Sequence, residues 1–216
     1  GVGRRQGTGA DVSGGPYTVE AIVVGDYQTQ GSGQLRGFFL QEEDADADAN
    51  AATSEGIFVF CSACPTAVSV GHKVQVTGNA TEFNGMSQLS ATSAGSVSVI
   101  STGNTLPTPT AVELPVPGVP TGDLAAATTV INAYFEQFEG MLIKFPDTLS
   151  VSEYFELSRY GQVELSEGGR PRTFTDANTP TVAGYIDHQI DLAKRSMILD
   201  DTDNVQNRPV LVNPDT

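Results

Sequence analysis

The chain has 216 residues, 39% of them hydrophobic, and a formal net charge of -15 at pH 7. This length allows one or two domains, and short runs of Val, Ile, Phe and Leu between Gly and Pro predict a folded, mainly β protein rather than a disordered chain. The acidic balance excludes the broad basic surface of a self-sufficient nucleic-acid binder. The sequence therefore predicts two modules with acidic surfaces.

No stretch of the sequence approaches the ~18 consecutive apolar residues that a membrane-spanning helix needs. The beginning, "GVGRRQGTGADVSGG", also lacks the apolar core of a signal peptide. We therefore expect a soluble protein without a membrane partner, from which any targeting segment has already been removed.

Five strands are predicted within residues 17–100, after a lead-in at 1–16. The first two, "YTVEAIVVGDYQ" and "LRGFFLQE", form a hairpin. An acidic stretch, "GIFVF", a cysteine loop and "VSVGHKVQVTGNATEF" follow, and a turn at Asn84 and Gly85 leads into "MSQLSAT". The number and order of these strands predict an OB-like five-stranded Greek-key barrel. An immunoglobulin-like sandwich is the alternative.

A proline-rich stretch separates this module from a predicted second one. Residues 101–122 contain five prolines, which lack the backbone donor that a sheet needs, so a linker is expected. In residues 123–216, Asp123 caps a helix that ends before Gly140, and the strands "MLIKFP", "TLSVSEYF" and "GQVELSE" precede the helix "AGYIDHQIDLAKR" and the strand "SMILDD". This order predicts a β-rich (α+β) module or a second OB-like barrel, incomplete at its C-terminus.

The stretch "EEDADADANAATSEG", at residues 42–56, contains six carboxylates. Counted from Asp44, side-chain oxygens occupy positions 1, 3, 5, 7 and 12 of an EF-hand-like loop. These residues are Asp44, Asp46, Asp48, Asn50 and Glu55. Ala49 stands where such loops need Gly, and the predicted flanks are strands, which excludes a true EF-hand. We expect a calcium-binding DxDxD loop, with a solvated acidic loop as the alternative.

The two cysteines, Cys61 and Cys64, lie in the loop after "GIFVF". A single pair excludes a four-cysteine zinc site, and only His72 and His188 could supplement it. We predict a local disulfide in a secreted protein, with free thiols or a metal or redox site as alternatives.

Catalytic motifs are missing from the sequence. No HExxH, Walker or GxGxxG pattern occurs, and neither His72 nor His188 accompanies a G-x-S-x-G nucleophile elbow. Both histidines are expected at the surface.

Aromatic and basic residues are the candidates for nucleic-acid contact, because OB barrels stack bases on aromatic rings and follow the phosphate backbone with Lys or Arg. In the first module they are Tyr27, Arg36, Phe38, Lys73 and Phe83. In the second they are Lys144, Tyr154, Arg159, Tyr160, Arg170 and Arg172. The alternative is that the aromatic residues only fill the core.

An ordered set of phrases resembles a known family. "YTVEAIVVGDYQ", "LRGFFLQEEDADADANAATSEGIFVF", "VSVGHKVQVTGNATEFNGMSQL", "FEGMLIKFPDTLSVSEYFELSRYGQVELSEGGR" and "ILDD" resemble the region of secreted bacterial extracellular nucleases that precedes their endonuclease/exonuclease/phosphatase catalytic domain. The match runs from about Gly7 to Pro214. In that family the first stretch is an OB-like module, and the acidic loop is shorter than the Asp-rich loop of this chain.

The resemblance implies a non-catalytic, nucleic-acid-positioning or spacer region of a secreted nuclease. Magnesium or manganese would serve only the catalytic domain, whose motifs lie outside this chain, and DNA or RNA would be a partner through the parent enzyme. The alternative is a calcium-stabilised extracellular structural protein that assembles into filaments. The unfinished edge of the second module would be completed either by the absent downstream domain or by a strand of a neighbouring copy. The free pieces are "RPVLVN" at residues 208–213 and the segment before Tyr17, and the second route would make a homo-oligomer.

Overall fold

The computed structural model of the protein describes residues 14–48, 50 and 52–207, which form eleven β-strands, three α-helices and one 3-10 helix. They divide into two compact units. The barrel unit takes the residues up to Val112 together with Asn132–Lys144, and the second unit takes Glu113–Ile131 and the residues from Phe145 onward. Within the described ranges, no helix combines the length and the apolar character that are needed to cross a bilayer.

Five strands close into a barrel, as the sequence predicted. They are β1 (Gly14–Tyr27), β2 (Gly37–Gln41), β3 (Gly56–Phe60), β4 (Lys73–Phe83) and β5 (Met86–Ser90). Their order is β1-β2-β3-β5-β4, and β4 pairs with β1 to close the ring. The β3–β5 pair is parallel, and the other four pairs are antiparallel. The mainly β class and the closed five-stranded barrel are thus confirmed.

A sixth strand that the sequence analysis missed joins this sheet. β6 (Val97–Ser101) pairs antiparallel with the beginning of β4. Its first residue, Val97, belongs to the core, and the rest of the strand is exposed. β6 therefore extends the sheet beyond the ring instead of closing it.

The core of the barrel follows the period-2 alternation of its strands, since successive side chains in a strand point to opposite faces. Val74 and Val76 point inward with an exposed residue between them. The buried cluster consists of Ala21, Val23, Phe38, Leu40, Val59, Cys61, Val68, Val74, Val76, Leu89, Ala91 and Val97. At ~1.5–3 kcal/mol for each large apolar side chain, this burial is the main stabilising contribution in the unit.

The predicted linker is not free of structure. It contains β7 (Thr110–Ala111), which pairs in parallel with β8 (Ile143–Lys144), and Val112, which is fully buried and donates its backbone N–H to the Lys144 carbonyl at 2.9 Å. Five prolines keep a segment out of a long ladder, but they do not prevent short pairings and apolar burial between them. Residues up to Val112 therefore belong to the barrel unit.

A close backbone contact holds the returning segment 132–144 to the barrel. A Cβ on Gly56, the first residue of β3, would lie 2.5 Å from the carbonyl carbon of Gly140. Gly140 has a φ of 74°, in the left-handed region that favours glycine. The side chain of Gln41 accepts the backbone N–H of Leu142 at 2.8 Å. The close approach of the two backbones needs glycine at both Gly56 and Gly140.

Helix α1 (Leu124–Glu136) begins where the sequence predicted. The Asp123 carboxylate accepts the backbone N–H groups of Ala125 and Ala126 at 3.0 Å each, which satisfies donors that a helix start leaves unpaired. The division between the two units falls inside this helix, after Ile131.

The second unit contains one antiparallel sheet, in the order β11-β10-β9. Its strands are β9 (Leu149–Glu153), β10 (Val163–Glu167) and β11 (Ser196–Leu199), and its helices are α2 (Leu157–Tyr160), a 3-10 helix (Phe174–Asp176) and α3 (Val182–Arg195). Thr181 caps α3 by accepting the N–H of Gly184 at 3.1 Å. The described residues of this unit do not form a second closed barrel.

Parts of the sequence analysis concern residues outside the described ranges. These are most of the lead-in, at residues 1–13, position 49 of the acidic loop and the segment "RPVLVN" at residues 208–213. The predictions of an incomplete end and of strand exchange through that segment therefore stay predictions.

Candidate nucleic-acid interface

A row of aromatic rings lies on the outer face of β1, β2 and β3. In β2, Phe38 and Leu40 point into the core, so Phe39 between them points outward. The Phe39 ring lies 5.8 Å from that of Tyr27 on β1, edge to face, and 4.9 Å from that of Phe58 on β3. The row thus crosses three neighbouring strands.

Gly37 determines how closely this row packs. A Cβ at this position would lie 2.4 Å from the tip of the Phe58 ring and 2.2 Å from the Val59 carbonyl oxygen. Because Gly37 has no side chain, the Phe58 ring lies over its backbone, and Phe58 is only 3% exposed. Phe58 therefore supports the row, and Tyr27 and Phe39 remain half-buried.

Arg36 stands at one end of the row. Its guanidinium carbon lies 5.4 Å from the centre of the Phe60 ring, within the ~6 Å of a cation–π contact. Its backbone has a φ of 54°, and its carbonyl accepts the N–H of Cys61 at 3.2 Å. The cysteine loop therefore holds Arg36 in place, and the guanidinium combines a positive charge with an aromatic surface.

Cys61 and Cys64 form a disulfide, as predicted. Cys61 is buried in the barrel core. Gln28 attaches the loop that follows the disulfide to the end of β1, because its side chain donates to the Thr66 carbonyl and accepts the Val68 N–H, both at 2.8 Å. The disulfide and Gln28 together fix the segment beside Arg36.

The other candidates of the barrel unit, Phe38, Lys73 and Phe83, are not part of the aromatic row. Phe38 is fully buried, and a ring in that position cannot stack on a base, so Phe38 is assigned to the core instead. Lys73 lies 2.6 Å from Glu43 and 3.1 Å from Glu20, and hydrogen bonds to these carboxylates, that of Glu43 first, raise its pKa. The charge of Lys73 is therefore matched within the protein. Phe83 is 56% exposed at the β4–β5 turn.

The second group of candidates is divided between the two units. Lys144 is exposed in β8 of the barrel unit, whereas Arg159 and Tyr160 lie in α2 of the second unit. The Arg159 guanidinium lies 4.9 Å from the centre of the Tyr160 ring, and its Nε donates to the Gln206 side chain at 3.2 Å. Of these three residues, Arg159 and Tyr160 contact each other.

The acidic loop uses several of its oxygens for internal contacts. Both carboxylate oxygens of Asp44 accept hydrogen bonds from Thr108, at 2.9 Å from its N–H and 2.6 Å from its hydroxyl, and these bonds lower the pKa of Asp44. Asp48 accepts the N–H of Asn50 at 2.6 Å, and the Asn50 side chain accepts that of Ala52 at 3.2 Å. Among the described residues, no three His, Cys, Asp or Glu side chains are placed to hold a metal ion together. The calcium site stays a prediction.

The sequence analysis missed Phe39 and Phe60. The signal that could have identified Phe39 is the alternation "FFL", in which adjacent residues must face opposite sides of a strand. Choosing the outward ring requires the register with a neighbouring strand, and here Phe39 pairs with Phe58 while Phe38 pairs with Val59.

Comparison with protein-family models, with curated proteins and with solved structures finds no match to this chain.

Proposed function

We propose that the barrel unit is an OB-type module that binds single-stranded nucleic acid, within a non-catalytic region of a secreted bacterial nuclease. The observation that carries this proposal is the outer aromatic row of Tyr27 and Phe39, with Arg36 and Phe60 at its end. The family assignment rests on the sequence phrases alone.

The position of the row supports the proposal. OB barrels bind oligonucleotides on the face of their second and third strands and with the adjoining loops, and β2 and β3 carry Phe39 and Phe60. Stacking of a base on an aromatic side chain contributes ~1–3 kcal/mol and tolerates any base, because every base has a π face. The row therefore favours binding with little sequence preference.

The charge distribution favours weak binding. The net charge is -15, and Lys73 is matched by Glu20 and Glu43, so Arg36 is the cation that accompanies the aromatic row. Each phosphate contact to a single strand contributes a slope of about -0.7 to the dependence of log affinity on log salt. We expect a slope of about -1, well below that of a basic nucleic-acid binder.

The test is fluorescence anisotropy with a labelled oligothymidine, using Tyr27→Ala and Arg36→Gln variants. Each should weaken binding about fivefold or more, because each removes a stacking ring or the adjoining charge. Tyr17→Ala is the matched control, because Tyr17 lies on the same strand, is 41% exposed and is not part of the row. Equal effects of Tyr17→Ala and Tyr27→Ala would refute the proposed face.

The non-catalytic role has its own test. The chain should not hydrolyse DNA or RNA with magnesium, manganese or calcium, because its sequence carries none of the catalytic motifs considered above. Metal-dependent cleavage by purified protein would overturn this part of the proposal.

The alternative function is a calcium-stabilised extracellular structural protein. The observation that favours it is the crowding of carboxylates: burial raises the pKa of Glu42, and the neighbouring Glu55, Asp46, Asp48 and Glu43 raise it further. A bound cation would relieve this repulsion. Homo-oligomers that form through an unfinished sheet edge belong to this alternative, and a β-rich (α+β) module built around the three-stranded sheet of the second unit is compatible with either function.

A further inference from the structure

A cleft opens in the second unit beside α3. Two cavities of about 220 and 430 Å³ lie between this helix and the chain that follows β10. They share the wall formed by Arg170, Pro171, Arg172, Thr173, His188 and Leu192. The larger volume falls within the ~300–1,000 Å³ that is typical of small-molecule sites.

The smaller cavity is cationic. Arg170, Arg172 and His188 line it, and neither arginine takes part in a salt bridge with any described residue. Arg195, which also lines it, is instead paired with Asp191 at 3.0 Å. Asp191, the acidic residue of this lining, is thus already matched. Backbone hydrogen bonds from Tyr154 and Phe155, and after them the charge of Arg170, lower the pKa of Glu153, which lines the adjoining cavity. Even so, two guanidinium groups without a salt bridge to a described residue, in a chain of net charge -15, offer hydrogen-bond donors to an anion.

Backbone geometry adds room for an anion beside these arginines. Gly168 and Gly169, which also line the smaller cavity, have φ values of 76° and 90°, and a Cβ on Gly169 would meet no atom within 4 Å. Gly169 therefore leaves open space at the cavity wall, whereas a Cβ on Gly168 would lie 2.7 Å from Nη1 of Arg195.

The larger cavity is aromatic and contains hydrogen-bond acceptors. Phe174 lies 6.0 Å from the ring of Tyr185 and 5.5 Å from that of His188, and all three residues line the cavity. Tyr185 is 53% exposed, so its ring is accessible. Glu153 and Glu164 also line this cavity. Rings offer stacking surfaces, and carboxylates accept hydrogen bonds from hydroxyl or amino groups.

We propose that this cleft binds a nucleoside monophosphate, with the phosphate at Arg170, Arg172 and His188 and the base and sugar in the larger cavity. Guanidinium groups match the geometry of a phosphate, the rings provide a stacking surface for the base, and the two glutamates accept ribose hydroxyls. Arg170, Arg172 and His188 belong to the wall that the two cavities share, so the phosphate would lie where the cavities meet. The proposal depends on the second unit alone and not on the barrel.

Isothermal titration calorimetry at low salt tests it, with adenosine 5′-monophosphate, inorganic phosphate and adenosine as separate probes. Wild-type protein should bind the nucleotide more tightly than either of the other two. Arg172→Gln and Arg170→Gln should each weaken nucleotide binding about tenfold, which corresponds to the loss of one charge-assisted contact. Tyr185→Ala should weaken binding of the nucleotide but not of inorganic phosphate.

Arg159→Gln is the matched control, because it removes one positive charge from the same unit outside the cleft. It should change nucleotide affinity by less than about twofold, since the field of one exposed charge is screened over a Debye length. An equal loss in Arg159→Gln and Arg172→Gln, or inorganic phosphate binding as tightly as the nucleotide, would overturn the proposal. Absence of nucleotide binding by wild-type protein would also overturn it. Tyr17→Ala, in the barrel unit and outside its aromatic row, should leave nucleotide binding unchanged.

Discussion

The positively charged side chains of the barrel unit and of the second unit differ in their partners. In the barrel unit, Lys73 lies between two carboxylates and Arg36 lies over an aromatic ring. In the second unit, Arg170 and Arg172 line an open cleft without a salt bridge to any described residue. A strongly negative net charge therefore does not describe every surface of a protein.

The interiors of the two units also differ in the polar groups that they bury. The buried cluster of the barrel consists of hydrophobic residues. The second unit also buries apolar residues, among them Val116, Ile131 and Ile190, but its sheet buries in addition one serine on each strand: Ser152, Ser166 and Ser196. Buried serine hydroxyls are thus a feature of this sheet that the buried cluster of the barrel lacks. The following predictions test this contrast.

The largest effect is expected in the barrel core. Phe38→Ala should lower the free energy of unfolding by about 3–5 kcal/mol, because it leaves a cavity in a fully buried cluster. Phe83→Ala makes the same change at an exposed ring and should cost less than about 0.5 kcal/mol. Urea denaturation measures both, and similar values for the two variants would contradict the assignment of Phe38 to the core.

A calcium effect would show that the acidic loop also contributes to the stability of the barrel unit. If the loop binds the ion, calcium at about 100 times its dissociation constant should stabilise the folded state by ~2.7 kcal/mol, and a chelator should lower the melting temperature accordingly. Asp46→Ala should abolish this difference. Equal melting temperatures of the wild-type protein with calcium and with chelator would exclude the site.

Glu139 makes the stability of the barrel unit depend on pH. Burial, together with the nearby Glu136 and Glu82, raises its pKa from 4.5 to about 7, and a hydrogen bond from the Ser87 N–H partly opposes the shift. Because the folded-state pKa is above the ordinary value, its contribution is favourable below pH ~4.5 and is lost as the pH rises through about 7.

Glu139→Gln should therefore stabilise the protein at pH 8 by about 1 kcal/mol, a value reduced for partial exposure, and should have little effect at pH 4. Melting temperatures across this range measure the difference. Asp26→Asn, which removes an exposed charge and keeps an oxygen that can accept the Gln28 N–H, is the control. A similar pH profile in both variants would show that general charge repulsion is responsible.

The smallest effect is expected at a serine of the second unit. The Ser166 hydroxyl is fully buried and donates to the Gly169 carbonyl at 2.6 Å. Ser166→Ala should cost about 1 kcal/mol in unfolding experiments, the usual net value of one hydrogen bond. A cost as large as that of Phe38→Ala would remove the proposed contrast between the two interiors.

Most of the strands could be predicted because their signal is local. β3 coincides with the predicted "GIFVF", and α3 begins one residue before its predicted start. β6 was missed because "VSVIS" is short, rich in serine and followed closely by the proline-rich stretch. Its pairing with β4 is a long-range contact that no local pattern reveals.

The candidate sites were less predictable because they depend on register and packing. Alternation separates Phe38 from Phe39, but only the pairing of β2 with β3 decides which ring faces outward. Lys73 was a candidate for nucleic-acid contact, but its two acidic partners come from β1 and from the acidic loop, and no local pattern reveals them. The cleft of the second unit depends on how α3 packs against the chain after β10, so the sequence indicated Arg170 and Arg172 but not the residues that line the cleft with them.

The contact between Gly56 and Gly140 has a consequence for how the protein is made. The barrel unit is discontinuous in sequence, because its last segment, 132–144, follows a stretch that belongs to the other unit. During synthesis the five barrel strands leave the ribosome well before segment 132–144, which packs against β3. Until this segment has emerged, that side of the barrel lacks its packing partner. A recombinant fragment that ends at residue 112 would reproduce this intermediate and not the finished unit.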